Sequence, residues 1–492
     1  MKPKAVIIGS GIGGLAIAIH LSKMGYSVDL FEKNSYPGGK IYEYRIQGYR
    51  FDSGPSLFTM PNLVDELFTL AEENPADYLK YHKLENICRY FYDDGTIIDA
   101  WSDIDKFIKE ISEKLGEDPD HLYRYFKRGE ELYNIASNAL IFNSFQHYSK
   151  LFKKENLQVA FHPFKLDTMK SIHERNSCSF LNPHLIQLFD HYATYIGSNP
   201  YSAPATLKII PHLEHHIGVF YPEKGMYSII NELTNLALRL DVKIQYNTPV
   251  EKVLIRDDQA AGVRINGEDN TYDIVVSDVD INYFYKNLLI ESPIPESISH
   301  IEQSSSALVF YWGMDCLFPQ IDLHNIFFSS SYKEEFDCLF EQKTFSEDPT
   351  VYLYVSSKHI PEDAPQGCEN WFVMVNAPVN VGQNWENLIE NARKAIISKL
   401  NRILNRDIEE HIKFEKVMDP RQIEEETRSW QGSLYGNSSN GPFAALYRHT
   451  NFHRRIKGLY FTGGSVHPGG GIPLCLASAK IVAQEVINDW IS

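Results

Sequence analysis

The sequence lacks several features that mark other classes of protein. Its 492 residues include six cysteines, with no CxxC pair and no histidines beside them at metal-binding spacing. Because clustered cysteines mark disulfide frameworks and zinc sites, this pattern predicts reduced thiols and no metal site. No long basic block occurs, and the net charge is −17. The composition therefore predicts no nucleic-acid partner.

Long apolar runs are also absent. No window contains the roughly 18 consecutive apolar residues that a membrane-spanning helix needs. The chain enters an apolar strand almost at once, without the charged region, apolar segment and cleavage site of a secretory signal. We therefore expect a cytoplasmic chain that does not span a bilayer.

The length and the aromatic content indicate more than one domain. A chain of 492 residues exceeds what a single hydrophobic core supports, so two or more domains are expected. Aromatic residues make up 13% of the sequence. Most of them fit large cores, and an aromatic-lined channel for a long apolar substrate is the second interpretation.

The opening residues predict a strand, a glycine turn and a helix. The β-branched run Val6–Ile8 leads into Gly9-Ser-Gly11-Ile-Gly13-Gly14, and apolar residues then recur at helical spacing. In a dinucleotide-binding turn the first glycine permits the tight turn. The second lets the backbone approach a pyrophosphate, and the third lets the helix lie on the strand.

A second strand supports this interpretation. It runs from Ser27 to Phe31 and ends at Glu32, which lies 18 positions after Gly14 and can accept hydrogen bonds from a ribose diol. The carboxylate argues against NADP, whose 2′-phosphate would favour an arginine there. The motif alone does not separate NAD from FAD.

Two loops follow with further candidate contacts to a nucleotide. In Lys33-Asn-Ser-Tyr-Pro-Gly-Gly-Lys40 the glycines allow a close approach to phosphate and the lysines supply positive charge, although a plain turn is an equal interpretation. Gly48–Ser56 predicts a short strand that ends in a Gly-Pro turn with fixed backbone donors and acceptors. The candidate cofactor-binding residues of these loops are Lys33, Gly39, Lys40, Gly54, Pro55 and Ser56.

The C-terminal region is again rich in glycine. Gly458–Gly464 predicts a strand, Ser465–Pro473 a turn and Leu474–Ile487 a helix. Backbone amides at a helix N-terminus favour the partial negative charge that a reduced flavin carries. Because two distant glycine turns suit a long dinucleotide, FAD is favoured over NAD. The candidate residues here are Gly463, Gly464, Gly471, Ile472 and Pro473.

Together, these motifs resemble one family. The order of glycine turn, Glu32-Lys33, Pro37-Gly-Gly-Lys40 and Phe51-Asp-Ser-Gly-Pro-Ser56 is similar to that of the FAD-dependent phytoene desaturases, within the wider amine-oxidase-like flavoproteins. The stretch Gly54–Pro61 is most similar to that of bacterial hydroxycarotenoid 3,4-desaturases. His467–Pro473 matches the glycine-rich element near the family's C-terminus.

The resemblance implies a fold and a domain layout. The expected fold is α/β, with a Rossmann-type FAD-binding domain of the amine-oxidase and phytoene-desaturase kind and an interleaved α+β substrate domain. The FAD-binding domain would comprise residues 1–95, 216–283 and 421–492. The substrate domain, with a helical and possible membrane-associating part, would comprise residues 96–215 and 284–420. Val250 would pack near the adenine through its backbone, or serve only as a strand residue.

The resemblance also implies an activity. The expected reaction places a carbon–carbon double bond in an acyclic, 1-hydroxylated carotenoid by 3,4-desaturation, with hydride transfer to flavin N5. Such a step depends on positioning and a dry channel, and it agrees with the absence of a Ser-His-Asp or paired-carboxylate motif. His467 is the one candidate proton acceptor, with a structural role as the alternative. Oxygen or a quinone would accept the electrons, and the enzyme would associate peripherally with the inner membrane.

Three alternatives remain at this level. The first is a phytoene- or dehydrosqualene-type desaturase, and the second is a flavin-dependent carotenoid isomerase. The third is a non-catalytic isoprenoid-binding protein that resembles the GDP-dissociation inhibitors of the same fold, but these lack the intact flavin site that Glu32, Gly39 and the C-terminal turn predict here.

The middle of the chain predicts helices and strands. Apolar residues at spacings of three and four, including Leu122, Phe126, Leu132, Ile135 and Leu140, predict several helices between about residues 65 and 149. The segment Ile141–Lys154 combines aromatics with lysines and fits either a lipid-contacting surface or a domain-packing helix. Further predicted elements are a β-meander from 249 to 278, strands at 307–312, 351–355 and 371–375, and a helix at 385–404.

Overall fold

The structure is a computed structural model that describes residues 2–137, 167–295, 298, 301–442, 444 and 448–490. The segment Ile141–Lys154, for which lipid contact is one interpretation, lies outside the described residues, as does Leu140.

Strands occur from the first residues to near the C-terminus. They are β1 (Lys4–Ile8), β2 (Ser27–Phe31), β3 (Tyr42–Ile46), β4 (Tyr49–Ser53), β5 (Phe58–Thr59), β6 (Tyr81–Lys83), β7 (Asn86–Phe91), β8 (Ile97–Trp101), β9 (Val219–Pro222), β10 (Lys243–Gln245), β11 (Lys252–Arg256), β12 (Gln259–Ile265), β13 (Glu268–Thr271), β14 (Ile274–Ser277), β15 (Ser306–Met314), β16 (His324–Phe327), β17 (Val351–Tyr354), β18 (Glu369–Ala377), β19 (Ile412–Met418) and β20 (Leu459–Phe461).

Helices cover the sheets and fill the region between β8 and β9. The α-helices are α1 (Ile12–Lys23), α2 (Asn62–Leu70), α3 (Ile104–Leu115), α4 (Pro119–Ala136), α5 (Ile172–Ser179), α6 (Pro183–Asp190), α7 (Ile209–His212), α8 (Tyr227–Arg239), α9 (Ile281–Tyr283), α10 (Tyr332–Asp337), α11 (Trp385–Leu404), α12 (Pro420–Thr427) and α13 (Ile472–Trp490).

A parallel sheet confirms the predicted strand–turn–helix–strand unit. Within the described residues its order is β10-β2-β1-β14-β20, so strands from the two ends of the chain lie in one sheet. Nine of the twelve residues of α1 are buried, since the helix packs between this sheet and the helices α8 and α13. Parallel strands buried on both faces explain the continuous apolar run at Val6–Ile8.

The predicted β-meander is also present. Strands β11, β12 and β13 form an antiparallel sheet, and the chain then enters β14 of the parallel sheet. All four residues of β14 are buried. The meander is therefore followed by β14, and Asp278 comes directly after the last residue of β14.

A seven-stranded mixed sheet forms the second layer. In the described part of the chain its order is β19-β15-β18-β17-β16-β7-β8. The predicted strands at 307–312, 351–355 and 371–375 all lie in it. Strand β7 falls within the range 1–95 expected for the FAD-binding domain, yet it pairs in parallel with β16 of this second sheet.

The two faces of this sheet have different neighbours. Along β15, Leu308, Phe310 and Trp312 face a core that includes α11, whereas Ala307, Val309 and Tyr311 face the opposite way. This alternation follows from the two-residue period of a strand. The predicted helix at 385–404 is confirmed as α11. The face opposite α11 is the one that reaches the site described below.

The prediction of helices between residues 65 and 149 is only partly confirmed. Leu122, Phe126 and Leu132 are buried positions of α4. Residues 81–101 instead form β6, β7 and β8. The aromatic and β-branched residues of β7 and the turn at Asp93–Gly95 favour a hairpin there, and its pairing with β16 is a long-range contact that local spacing does not reveal.

Candidate functional site

The N-terminal glycine turn joins β1 to α1 in the expected way. The Gly9 amide donates a hydrogen bond to the Phe31 carbonyl at 2.8 Å. A Cβ atom on Gly14 would lie 2.2 Å from the Gly9 carbonyl oxygen, so a side chain there would push the helix away. Gly9, Gly11 and Gly13 line a large cavity, and Gly14 lies behind them as a packing position.

Glu32 lies at the end of β2 and faces the same cavity. Its Oε2 accepts hydrogen bonds from the amide and hydroxyl of Ser10, at 2.9 and 2.8 Å, and its Oε1 accepts one from the Asn34 amide. The residue is 5% exposed. These contacts hold the carboxylate beside the glycine turn, which is the arrangement that ribose binding requires.

The loop after Glu32 packs against the glycine turn. The Gly38 amide donates to the Ser10 carbonyl, and a Cβ atom on Gly39 would lie 3.4 Å from Gly11 Cα. Lys40 is half-buried and donates to the Leu434 carbonyl at 2.5 Å, and the removal of its ammonium group from water lowers the pKa of that group. Lys33, Gly39 and Lys40 all line the cavity.

The Gly-Pro-Ser turn also reaches the cavity. Gly54 has a φ of +94°, and a Cβ atom there would lie 2.0 Å from the Lys40 carbonyl oxygen. The Ser56 hydroxyl is hydrogen-bonded to the Tyr352 hydroxyl at 2.5 Å, which in turn contacts His324 Nδ1 at 2.8 Å. Gly54, Pro55 and Ser56 thus lie between the parallel sheet and the seven-stranded sheet.

The C-terminal glycine turn meets the N-terminal one. The Thr462 amide donates to Ser277, the last residue of β14, and Gly463 follows at the end of β20. A Cβ atom on Gly13 would lie 3.1 Å from Gly463 Cα. The two glycine turns, separated by most of the chain, are therefore in direct contact.

The predicted C-terminal residues divide into two groups. Gly464, Gly471, Ile472 and Pro473 line the cavity, as does Val250 before β11, whereas Gly463 packs below them. His467 is buried and is not one of the lining residues. Its amide donates to the His449 carbonyl and its carbonyl accepts from Asn451 Nδ2, so the structure places it in the support of the turn.

Asp278 is a site residue that the sequence did not indicate. Its carboxyl lies between the glycine turns, since a Cβ atom on Gly11 or on Gly463 would lie 2.3 Å from one of its oxygens. Burial raises the pKa of Asp278 to about 7, and hydrogen bonds from the Gly14 and Gly11 amides oppose that shift. Its contacts with these glycines are long-range, and only its position directly after a buried strand hints at them.

Arg448 is a second residue that only the structure reveals. It donates to the carbonyls of Tyr435 and Gly464, at 3.1 and 3.3 Å, and it lines the cavity. Burial lowers the pKa of its guanidinium to about 10. The group places positive charge beside the C-terminal glycine turn, where a reduced flavin would carry negative charge.

The cavity has a volume of about 880 Å³ and a largely apolar wall. Beyond the glycine turns it extends over the seven-stranded sheet, where its floor includes residues from β19, β15, β18, β17, β16 and β7. These lining residues are Met418, Val309, Tyr311, Phe372, Met374, Tyr352, Ile326 and Cys88. One continuous space therefore joins a nucleotide-binding region to a broad apolar surface.

Outside the cavity, the residues that the structure describes bring one possible metal-binding group together. Asp315, Cys316 and His411 have ligand atoms within 4.8 Å of one another. Both His411 ring nitrogens already contact other groups, namely Asp315 Oδ1 and Arg406 Nε, and Lys413 forms an ion pair with Asp315. These contacts compete with a cation for the same lone pairs.

The helices of the described segments do not include a membrane span. Each is too short or too polar to cross a bilayer.

Comparison with known proteins agrees with this geometry. The family described as flavin containing amine oxidoreductase matches residues 12–487. Among solved structures, putrescine oxidase bound to putrescine has a TM-score of 0.61 at 15% identity, covering 99% of each chain. A fatty acid isomerase from P. acnes that produces CLA also has a TM-score of 0.61, at 13% identity over 100% of this chain and 99% of its own. These similarities support the fold.

Several curated relatives are more similar to this chain in sequence than these solved structures are. The chain is 45% identical to a 1-hydroxycarotenoid 3,4-desaturase from Flavobacterium sp., over 99% of both chains. It is 33% identical to a 4,4'-diapolycopene oxygenase from Methylomonas sp., over 99% of this chain and 98% of that one. A phytoene desaturase from Fusarium fujikuroi is 30% identical over 99% of this chain and 90% of its own.

These findings confirm the resemblance that the sequence motifs indicate, and with it the expected fold class and the choice of FAD over NAD. The chain therefore belongs to the family of flavin containing amine oxidoreductases, and it is an FAD-dependent oxidoreductase.

Proposed function

We propose that this chain is a carotenoid desaturase that places a carbon–carbon double bond at the 3,4 position of an acyclic, 1-hydroxylated carotenoid. The observation that carries the proposal is the continuous cavity, which runs from the two glycine turns onto the apolar face of the seven-stranded sheet. A long hydrocarbon needs such a dry surface beside the cofactor. The relative that acts on 1-hydroxycarotenoids favours the hydroxylated substrate.

The residues of the cavity fit FAD. Amides at the N-terminus of α1 would hold the pyrophosphate, and Glu32 would accept hydrogen bonds from the ribose. At Gly471, with a φ of +111°, a Cβ atom would meet nothing within 4 Å and would project into open space. The C-terminal turn thus leaves room for a planar ring, with Arg448 and the N-terminus of α13 beside it.

The chain's own contribution to the reaction is positioning and the exclusion of water. FAD, when bound, would supply the acceptor for the hydride that desaturation removes, at flavin N5, and the adjacent carbon would lose a proton to complete the double bond. The apolar side chains on β15, β17 and β18 would hold the polyene against the cofactor region. We assign no proton transfer to His467, because it is not among the residues that line the cavity.

The three alternative functions differ from the proposed one in their substrate, in their reaction or in their need for flavin. A phytoene- or dehydrosqualene-type desaturase would act on a chain without a hydroxyl group. A carotenoid isomerase would use the same cavity without net oxidation. A non-catalytic isoprenoid-binding protein would need no flavin, and the intact contacts of Glu32 and Gly39 argue against it.

We further propose that the enzyme associates peripherally with a membrane, with the cytoplasmic face of the inner membrane as its location and oxygen or a quinone as electron acceptor. The cavity reaches Thr168, and the next residue, Met169, is 68% exposed. An exposed apolar side chain beside the cavity suits the entry of a substrate that is dissolved in lipid.

Replacement of Gly471 by leucine is expected to abolish flavin binding, because the new side chain would fill the space beside the C-terminal turn. Gly382 offers a matched control, since it also has a positive φ, +91°, with open space around it, but lies outside the cavity. The measurement is the flavin absorbance of the purified proteins. Full flavin in Gly471→Leu, or equal loss in Gly382→Leu, would contradict the site.

Glu32→Ala is expected to weaken FAD binding roughly 10- to 100-fold, the range that loss of charge-assisted hydrogen bonds to the ribose gives. Glu32→Gln should lose less, because an amide oxygen still accepts hydrogen bonds. Fluorescence titration of the apoprotein with FAD measures both affinities. Glu32→Ala also removes the hydrogen bonds from Ser10. A melting temperature of the apoprotein close to that of the wild type would show that the weaker binding does not come from a destabilised fold.

The activity itself is tested by the absorption spectrum of the product. With a 1-hydroxylated acyclic carotenoid and a quinone under anaerobic conditions, the spectrum should shift to longer wavelength as the conjugated chain gains a double bond. The same carotenoid without the hydroxyl should react more slowly. A shift in double-bond position without a longer chromophore would favour the isomerase, and a colourless, flavin-free protein the binding protein.

Membrane association is tested by sedimentation with phospholipid vesicles. Met169→Glu should reduce the bound fraction, because a carboxylate would be placed against the apolar part of the bilayer. Leu317→Glu is the control, since Leu317 is 54% exposed but does not line the cavity. Equal binding of the two variants would contradict the proposed entry region.

A further inference from the structure

A buried histidine in the cavity has one ring nitrogen without a hydrogen-bond partner. His324, the first residue of β16, is 2% exposed and lines the cavity. Its Nδ1 contacts the Tyr352 hydroxyl at 2.8 Å, whereas its Nε2 has no partner among the residues that the structure describes. Buried polar atoms are nearly always paired, so such an atom in a ligand cavity indicates a group that the ligand supplies.

The sheet fixes the position of this ring. His324 lies on the same face of β16 as Ile326, which also lines the cavity. Its ring stacks against that of Tyr354 on the neighbouring strand β17, with the centroids 5.2 Å apart and an angle of 15° between the planes. The stacking and the Nδ1 contact together hold the imidazole in one orientation.

His324 lies close to the predicted cofactor-binding turn. The Tyr352 hydroxyl, which contacts Nδ1, is also hydrogen-bonded to the Ser56 hydroxyl at 2.5 Å. Only two hydrogen bonds and one imidazole ring therefore separate Nε2 from Ser56. Since the Gly54–Ser56 turn lies between the parallel sheet and the seven-stranded sheet, His324 is at the cofactor side of the apolar floor.

Glu214 is the other cavity residue with an unpaired buried atom, and its setting is different. Its carboxyl has the hydroxyls of both Tyr192 and Tyr195 as hydrogen-bond neighbours. The next residue in the chain contacts the Trp101 carbonyl on β8, the strand at the far edge of the sheet. Glu214 is thus served by protein hydroxyls away from the cofactor-binding turn, which leaves His324 as the candidate beside that turn.

The free nitrogen of His324 suits an alcohol. Burial lowers the pKa of His324 to about 3, so the ring is neutral at physiological pH and has one N–H group and one lone pair. If Nδ1 donates to Tyr352, then Nε2 accepts a hydrogen bond, and if Nδ1 accepts, then Nε2 donates. A hydroxyl group can serve either form of the ring, whereas a hydrocarbon can serve neither.

We propose that His324 Nε2 binds the hydroxyl group on carbon 1 of the carotenoid and thereby sets the preference for a hydroxylated substrate. This assignment rests on the proposed function. The hydroxyl oxygen is three bonds from carbon 3 and four from carbon 4, so the 3,4 bond lies within about 5 Å of that oxygen. A hydroxyl held at Nε2 therefore keeps the 3,4 bond at the cofactor side of the cavity, and the polyene extends from there over the apolar floor.

The test compares a hydroxylated acyclic carotenoid with the same chain lacking the hydroxyl, on the FAD-loaded enzyme. The wild-type enzyme should favour the hydroxylated chain by at least about tenfold in kcat/KM, since a site built around a substrate hydroxyl rejects the analogue without it. Equal turnover of the two chains by the wild-type enzyme would overturn the assignment of His324 while desaturation stands.

Two variants separate the roles of the two ring nitrogens. An asparagine amide ends near the Nδ1 position, so His324→Asn should keep the Tyr352 contact but lose the substrate contact. The ratio should then fall close to one, mainly through a higher KM for the hydroxylated chain. A glutamine amide reaches the Nε2 position, so His324→Gln should retain much of the preference. An unchanged ratio in His324→Asn, at wild-type flavin content and melting temperature, would contradict the proposal.

His215→Asn is the matched control. His215 is 2% exposed, and burial lowers its pKa to about 4. Both of its ring nitrogens have partners, namely the Trp101 carbonyl at 3.0 Å and the Tyr192 hydroxyl at 3.5 Å, and it is not one of the lining residues. Substitution there should leave the ratio unchanged. An equal fall in the ratio would count against His324, because the loss of any buried histidine would then explain it.

Further measurements separate this inference from the proposed function and from a role in cofactor binding. Weaker FAD binding by the His324→Asn apoprotein, with an unchanged substrate ratio, would assign Nε2 to the cofactor and overturn the proposal. Turnover of neither substrate by the wild-type enzyme would overturn the proposed function. A binding titration, followed by the absorption of the carotenoid, then still gives the affinity ratio, for which the same results are expected. His324→Phe, which keeps an aromatic ring, decides the question if the asparagine variant is unstable.

Discussion

The contact between the two glycine turns is the constraint on which the site depends. It is made through Asp278, whose half-buried side chain has its carboxyl against Gly11 and Gly463, while Gly13 lies against Gly463 itself. Side chains at these positions would collide with that carboxyl or with backbone, so the close approach requires glycine. Because strands β1 and β20 flank β14 in one sheet, the chain can bring its first and last turns to the same edge.

The cofactor region and the apolar part of the cavity are joined by a few partly buried polar contacts. Lys40 donates to the Leu434 carbonyl, and Leu434 is itself attached to Ser305 just before β15. Ser56 contacts Tyr352 on β17. These bonds fix the parallel sheet relative to the seven-stranded sheet, so the distance between a bound flavin and a polyene is set by the scaffold, as a reaction that depends on positioning requires.

Burial shapes the charges inside the cavity. It lowers the pKa of Arg448 to about 10 and raises that of Glu214 to about 7. The arginine remains charged at neutral pH, whereas the carboxyl of Glu214 is then poised between its two forms. A charged group thus lies beside the C-terminal glycine turn, where a bound flavin would carry negative charge on reduction.

Glycine spacing, β-branched strands and a carboxylate at a strand end are local signals, so the candidate nucleotide-binding elements could be predicted from the amino-acid sequence. Gly9–Gly14, Glu32, Gly54 and Gly471 could be assigned in this way, as could β15, β17, β18 and α11. Only the tertiary structure brought Asp278, Arg448 and Glu214 to the cavity and paired β7 with β16. These roles come from contacts between residues far apart in the chain. Apart from the position of Asp278 directly after a buried strand, nothing in their own neighbourhoods distinguishes them from other charged residues.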